Sequence, residues 1–218
     1  MIHISNILLA LILLSVLLSL RSNRLMALVK LMAFQGIVVS AVPLFLETEH
    51  GLTFNLFMFF LLLILVKGLV IPGLMYIAVK RVVASREIEP IIGYHASLFA
   101  GLIMIVFSVY VTSHLHLEML PAGHKLLLVT AITTMGAGFV LLMARRKAIT
   151  QVIGYLMMEN GIYLIGTALA KQVHTQYVVE FAVLLDLLVG VLVMGIVLND
   201  INHTFDDVDT ALLGQLKD

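Results

Sequence analysis

Three ionisable side chains lie in the middle of apolar stretches, where charge is least expected. Lys67 occurs within Leu-Ile-Leu-Val-Lys-Gly-Leu-Val-Ile, Glu159 within Tyr-Leu-Met-Met-Glu-Asn-Gly-Ile, and Asp186 within Val-Leu-Leu-Asp-Leu-Leu-Val. At the centre of a bilayer, an ionisable group costs about 2.5–3.5 kcal/mol on insertion scales. Membrane proteins keep such groups where they face inward and are paired or hydrated, typically on a path for ions or protons. The three residues therefore indicate a proton or ion relay.

The charges of these three residues do not balance. Lys67 neutralises one of the two acids, so one carboxyl is left over, and in low dielectric it tends to hold a proton near neutral pH. A relay needs a site of this kind. The alternative is that Lys67 pairs with one acid only to hold helices together, and the residues alone leave both interpretations open.

Further polar residues accompany the charges. Gln35 lies at the middle of another apolar stretch, and Asn160 follows Glu159 directly. Tyr155, Glu159 and Tyr163 are spaced four apart and would share one face of a helix. These three side chains would form an ordered chain of hydrogen bonds that conducts protons. Equally, the two tyrosine hydroxyls would only donate hydrogen bonds to the carboxyl group of Glu159.

Pro72 lies five residues after Lys67. Proline removes one backbone donor and would leave the carbonyl of Gly68 unpaired. In hydrocarbon that carbonyl needs a water molecule, a side chain or a local helix adjustment. The sequence thus predicts a helix break beside the lysine and a natural place for internal water; a simple kink is the compatible alternative.

The composition sets the class of protein that must position these residues. Of 218 residues, 61% are hydrophobic and 12% are charged, the net charge is zero, and cysteine is absent. An ordinary soluble domain carries about a quarter charged residues, so a soluble domain, a disordered chain and a nucleic-acid-binding protein are excluded. The lack of cysteine excludes thiolate metal sites and iron–sulfur clusters held by this chain. An integral membrane protein remains.

Seven apolar stretches are long enough to cross a bilayer as helices. They are residues 4–20, 25–46, 54–79, 93–113, 125–143, 149–170 and 177–198. The predicted fold is all-α and polytopic, with seven transmembrane helices in a single membrane domain, 1–218. It divides into a first three-helix unit (1–90), a fourth helix with its loop (91–122), a second three-helix unit (123–200) and a tail (201–218).

Lysine and arginine are distributed one-sidedly among the connecting loops. The odd-numbered loops carry eight of these cations and the even-numbered loops carry two, Lys125 and Lys171. By the positive-inside rule the odd-numbered loops are cytoplasmic. The N-terminus is then outside and the C-terminal tail is cytoplasmic, which an odd number of spans requires.

One segment resembles a known family. Arg145-Arg146-Lys147, followed by Gln151-Val-Ile-Gly-Tyr-Leu-Met-Met-Glu-Asn-Gly-Ile, is similar to component E of hydrogenase-4, a membrane subunit of formate-hydrogenlyase-type, energy-converting hydrogenases. The similarity extends over most of the chain. It includes the Gln35 region, the segment from Lys67 to Pro72, and the tail from Asp207 to Lys217.

The last three helices also resemble subunit K of the proton-pumping NADH:quinone oxidoreductase and the equivalent subunit of multisubunit cation/proton antiporters. Asp186 matches the acid of that subunit's third helix, where glutamate is usual. The glutamate of its second helix corresponds to Leu156, so Glu159 is shifted by about one turn and stays on nearly the same face.

These resemblances imply a non-catalytic subunit in the inner (plasma) membrane of a prokaryote. It would lie between antiporter-like subunits and the membrane anchor of a redox arm, in contact with lipid and with protons or sodium as the translocated ion. Nickel–iron and iron–sulfur centres are expected in partner subunits, and no cofactor is expected in this chain. The open alternatives are a subunit of a multisubunit cation/proton antiporter and a purely structural helix clamp within the same complex.

Overall fold

The protein is built from helices that follow one another along the apolar stretches. The computed structural model describes residues 2–46, 54–81, 92–114, 124–145 and 148–169, with positions 185, 186, 188–190, 193 and 195. Within these residues the regular structure is helical and contains no strand. The seven α-helices are α1 (Ile2–Arg21), α2 (Leu25–Leu46), α3 (Phe54–Leu65), α4 (Ile71–Arg81), α5 (Tyr94–His114), α6 (His124–Ala144) and α7 (Ala148–Leu169).

The helices are long because a chain in hydrocarbon must satisfy its backbone hydrogen bonds internally. A π-helical turn, Val66–Val70, joins α3 directly to α4, so these three elements form one rod. The described residues contain six helices that are long and apolar enough to cross a membrane, and this rod is the third of them. An all-helical protein built of membrane-length helices is therefore confirmed.

The seventh predicted span, 177–198, lies mostly outside the described residues. Its described positions, which include Asp186, are helical. Seven spans, with the N-terminus outside, thus stay a prediction.

Helices α6 and α7 form the most closely packed pair. A Cβ atom placed on Gly138 would lie 2.8 Å from the carbonyl oxygen of Gly154, and one placed on Gly154 would lie 2.7 Å from the backbone nitrogen of Leu142. Glycine is what allows two helix backbones to approach this closely without a hydrophobic driving force. Around this pair, α1 contacts α2, α5 and α6, while α2 contacts α4 and α7.

In the part of the chain that the structure describes, the buried apolar side chains form two clusters at different levels of the bundle. The first cluster includes Met32, Ile71 and Met157, and the second includes Val38, Leu63 and Tyr163. On α2, on the rod formed by α3, the π-turn and α4, and on α7, the buried residues between the two clusters are polar or lack a side chain. These intervening buried residues, which we call the polar layer, are Gln35, Gly36, Lys67, Gly68, Glu159, Asn160 and Gly161.

The glycine contacts of α6 and α7 predict a stability difference between two conservative substitutions. Gly138→Ala should destabilise the protein by about 1–3 kcal/mol, because the added methyl group has no room between the helix backbones. The matched control is Gly73→Ala in α4, where an added Cβ meets nothing within 4 Å. Thermal unfolding in mild detergent, followed by circular dichroism, measures both variants; equal midpoints would contradict the packing described.

Candidate functional site

Lys67 lies inside the π-helical turn rather than in regular α-helix. The turn is defined at its end by the backbone N–H of Ile71, which donates to the carbonyl oxygen of Val66, five residues earlier. Isolated π-turns of this kind widen a helix by one residue and are frequent at functional sites. They are also one of the adjustments that let a membrane helix tolerate a nearby proline. Pro72 lies two residues after the end of the turn and is buried.

The predicted helix break therefore takes a different form in the structure. The chain stays helical through Pro72, and the irregularity lies upstream, around Lys67 itself. Gly68 is buried in the turn, where an added Cβ would lie only 2.6 Å from Cγ1 of Ile37 on α2. The π-turn thus packs directly against α2.

Gly36 allows α2 to reach the backbone of Lys67. A Cβ atom at position 36 would lie 2.9 Å from the carbonyl oxygen of Lys67 and 3.1 Å from its Cβ. Both distances are shorter than a side chain normally tolerates, so a larger residue would displace the π-turn. The helix backbones therefore fix where the lysine side chain starts.

The ammonium group of Lys67 lies between two carboxylates and one amide. Its Nζ is 2.5 Å from Oε1 of Glu159, 2.9 Å from Oδ1 of Asp186 and 3.2 Å from Oδ1 of Asn160. At most 3% of each charged side chain is exposed. An ammonium group has three donors, and here each of them has an acceptor.

This group of four residues, the ion cluster, has one more negative than positive charge when both acids are ionised. Oε2 of Glu159 and Oδ2 of Asp186 are buried and accept no hydrogen bond from the described residues. An unsatisfied buried acceptor costs about 1–3 kcal/mol, and more when it is charged. The cluster therefore favours an additional positive charge, such as a proton, and further donors.

A small cavity adjoins the ion cluster, with room for about one water molecule. It is lined by Met32 and Gly36 of α2, Lys67, Ile71, Leu156 and Asn160 of α7, and Asp186. Its polar lining comes from the cluster and its other walls are apolar. Leu156 is one of these apolar walls.

The other residues singled out from the sequence have different surroundings. Gln35 is fully buried in the polar layer, and its amide oxygen and nitrogen have no hydrogen-bond partner in the described part of the chain. Tyr155 is half-buried beside the first apolar cluster, and Tyr163 is a member of the second. A Tyr–Glu–Tyr proton wire stays a prediction. Across the described ranges, no group of three or more His, Asp or Glu side chains could hold a metal ion.

Arg145 has a role that the sequence does not reveal. The interpretation from sequence treats it as a loop cation, yet its side chain is fully buried next to the end of α6. Its Nη2 donates to the carbonyl oxygen of Leu20 at 3.0 Å, and its guanidinium lies 4.7 Å from the ring centre of Tyr94. Burial lowers the pKa of this guanidinium, which Tyr94 partly opposes. The backbone oxygen of Arg145 also accepts a hydrogen bond from Gln151 of α7. Arg145, next to the end of α6, thus contacts α1, α5 and α7.

Comparison with known proteins gives two kinds of relative. The chain is 29% identical over 203 residues to an uncharacterised protein of Mycobacterium tuberculosis, Rv0085, covering 88% of this chain and 86% of that protein. It is 24% identical over 151 residues to hydrogenase-4 component E of Escherichia coli, covering 69% of this chain and 68% of that protein. The same identity and coverage apply to hydrogenase-4 component E of Shigella flexneri. No protein-family model matches the chain, and no solved structure matches it.

The ion cluster predicts a pH-dependent effect of removing its cation. Lys67→Met should cost about 3–5 kcal/mol of stability near neutral pH, because the carboxylate that the ammonium group neutralises loses its counter-ion. The deficit should shrink as the pH falls, since protonated carboxyls need no counter-ion. Chemical unfolding of the purified protein in detergent, at a series of pH values, measures this trend.

The matched control for this prediction is the triple variant Lys67→Met, Glu159→Gln, Asp186→Asn. It has no buried charge in the cluster, so its stability should be higher than that of Lys67→Met near neutral pH and independent of pH in this range. A deficit in Lys67→Met that is constant with pH would contradict the assignment of ionised carboxylates.

Proposed function

We propose that this protein is a membrane subunit of an energy-converting hydrogenase or formate-hydrogenlyase-like complex. In this proposal it contributes buried ionisable groups to a proton (or sodium) pathway at the middle of the membrane. The similarity to hydrogenase-4 component E supports membership of such a complex. The redox chemistry belongs to other subunits, which hold the nickel–iron and iron–sulfur centres.

The observation that carries the proposal is the ion cluster itself. Two carboxylates and an ammonium group converge from α7, the π-turn and the helical segment of Asp186, and all three are almost fully buried. A single pair would be enough to hold two helices together. The second acid leaves the cluster with a site for one exchangeable positive charge, and reversible occupation by a proton is the property that translocation requires.

The polar layer is the physical setting for a path through the membrane. Gln35, Asn160 and the small cavity lie at the level of the charges, between the two apolar clusters. Neighbouring antiporter-like subunits and the membrane anchor of the redox arm are the proposed partners at this level. Subunit-K-like character of the last three helices belongs to the same proposal.

Charge-neutral, near-isosteric variants test the function in the assembled complex. Glu159→Gln and Asp186→Asn should each abolish redox-driven proton translocation, measured with a pH-sensitive dye in inverted vesicles, while the complex assembles with its metal-containing partners. Normal translocation in both variants would refute the proposed pathway. Recovery of an assembly that lacks nickel and iron–sulfur proteins would instead favour a multisubunit cation/proton antiporter.

A purely structural clamp is separated from a relay by a double variant. Lys67→Met with Asp186→Leu removes the positive charge and one negative charge of the cluster and leaves Glu159 as its remaining acid. If the cluster only fixes how helices pack, complexes that assemble with this variant should translocate protons at the normal rate. Loss of translocation in assembled complexes supports the relay.

The proposed topology has seven spans, an external N-terminus and a cytoplasmic tail. Because the chain contains no cysteine, single cysteines give an unambiguous labelling pattern. In intact cells an impermeant maleimide should label Thr48→Cys, and it should label Ser22→Cys and Gln215→Cys only after the membrane is opened. External labelling of Gln215→Cys together with protection of Ser22→Cys would indicate an odd number of spans between them and would contradict the proposed topology.

A further inference from the structure

The hydrogen bonds of Lys67 restrict what this residue does in the ion cluster. Each of its three donors has its own acceptor, on Glu159, Asp186 and Asn160. Releasing a proton from this ammonium would break one charge-assisted hydrogen bond and leave two ionised carboxylates without a counter-ion. The geometry therefore opposes a lysine that gives up its proton in each cycle.

The carboxyl groups have the opposite property. In each, one oxygen accepts from Lys67, and the second, Oε2 of Glu159 or Oδ2 of Asp186, is buried with no hydrogen-bond partner in the described residues. In each carboxyl group the first oxygen is fixed by Lys67 and the second has no donor among the residues that the structure describes. Protonating that second oxygen therefore costs less free energy than protonating any other atom of the cluster. Protonation there leaves all three hydrogen bonds of the ammonium intact.

The adjoining cavity provides a place beside the ion cluster for a group that could deliver such a proton. Asp186, Asn160 and Lys67 contribute its polar lining, and Met32, Ile71 and Leu156 contribute apolar walls. A buried water needs space of about one water-sized probe and two to four polar partners. The cavity volume of about 10 Å³ is at the lower limit of this size, and Asp186 and Asn160 are the polar partners on the side of the ion cluster.

We infer that this cavity is a binding site for one water molecule or hydronium ion that exchanges a proton with Asp186, and that Lys67 is a fixed cation and not a carrier. The inference rests on the proposed function. A proton moves from the hydronium ion to Oδ2 of Asp186, which becomes a carboxylic acid and leaves a neutral water. Release to the next acceptor restores the carboxylate, and Lys67 holds its own protons throughout.

A permanently charged replacement for the lysine provides the first test. Arginine does not lose its proton in proteins, so Lys67→Arg should translocate protons within about tenfold of the wild-type rate in the assembled complex. Lys67→Met, which has no charge, should reduce translocation to background. If Lys67→Arg assembles and is as inactive as Lys67→Met, the lysine is a carrier and the inference is wrong.

A second test addresses the cavity and does not depend on tolerance of arginine. Leu156→Phe adds volume to a cavity wall and should slow translocation about tenfold or more, because the water loses its place. The control is Ile162→Phe on the partly exposed face of the same helix, which should leave the rate unchanged. Equal rates in the two phenylalanine variants would overturn the water site.

Infrared difference spectroscopy of the wild-type complex identifies the water directly. Exchange into water enriched in the heavy oxygen isotope should shift a bound-water band when the protonation state changes, and Leu156→Phe should lose that band. A spectrum without an isotope-sensitive water band would contradict the inference.

Failure of this inference and failure of the proposed function give different results. If the function is wrong, Glu159→Gln and Asp186→Asn translocate protons normally. If only the inference is wrong, those two variants are inactive, while Lys67→Arg is also inactive or Leu156→Phe is fully active.

Discussion

An ammonium group held by two carboxylates in low-dielectric surroundings is the interaction on which this structure depends. In hydrocarbon none of these groups is stable alone, because the cost of removing a charge from water is repaid only by close partners. The chain provides those partners from segments that are far apart in sequence, with Lys67 and Glu159 separated by 92 positions. The helices that bear them must therefore meet at one level of the bundle.

The backbone adapts to this requirement at Lys67. In a regular α-helix the direction of each side chain about the helix axis follows from its position in the sequence. The π-turn adds one residue to the turn at Lys67 and so changes the directions of the side chains that follow it. Gly36 and Gly68 then remove the side chains that would keep α2 away from the turn. The lysine is thus positioned by the geometry of the main chain as much as by its ion pairs, and Pro72, five residues later, lies in regular helix just beyond the turn.

The polar layer lies between two apolar clusters, and this separation connects structure to proposed function. Packed apolar side chains on both sides keep water and ions from leaking along the helices. The charged residues in between are held by hydrogen bonds to one another, with one negative charge in excess. In the proposed function, this arrangement accepts and releases one proton.

The sequence by itself determined that the chain is helical, that it has membrane-length apolar segments, and that Lys67, Glu159 and Asp186 are the residues that need explanation. These properties depend on local composition and length, which act segment by segment. Only the tertiary structure decided that the three charges share one cluster, that Asn160 completes it while Tyr163 packs in an apolar cluster, and that Arg145 is buried. Helices that are apolar on all sides carry little information about their rotation or neighbours, so close packing of backbones and side chains has to settle which residues meet.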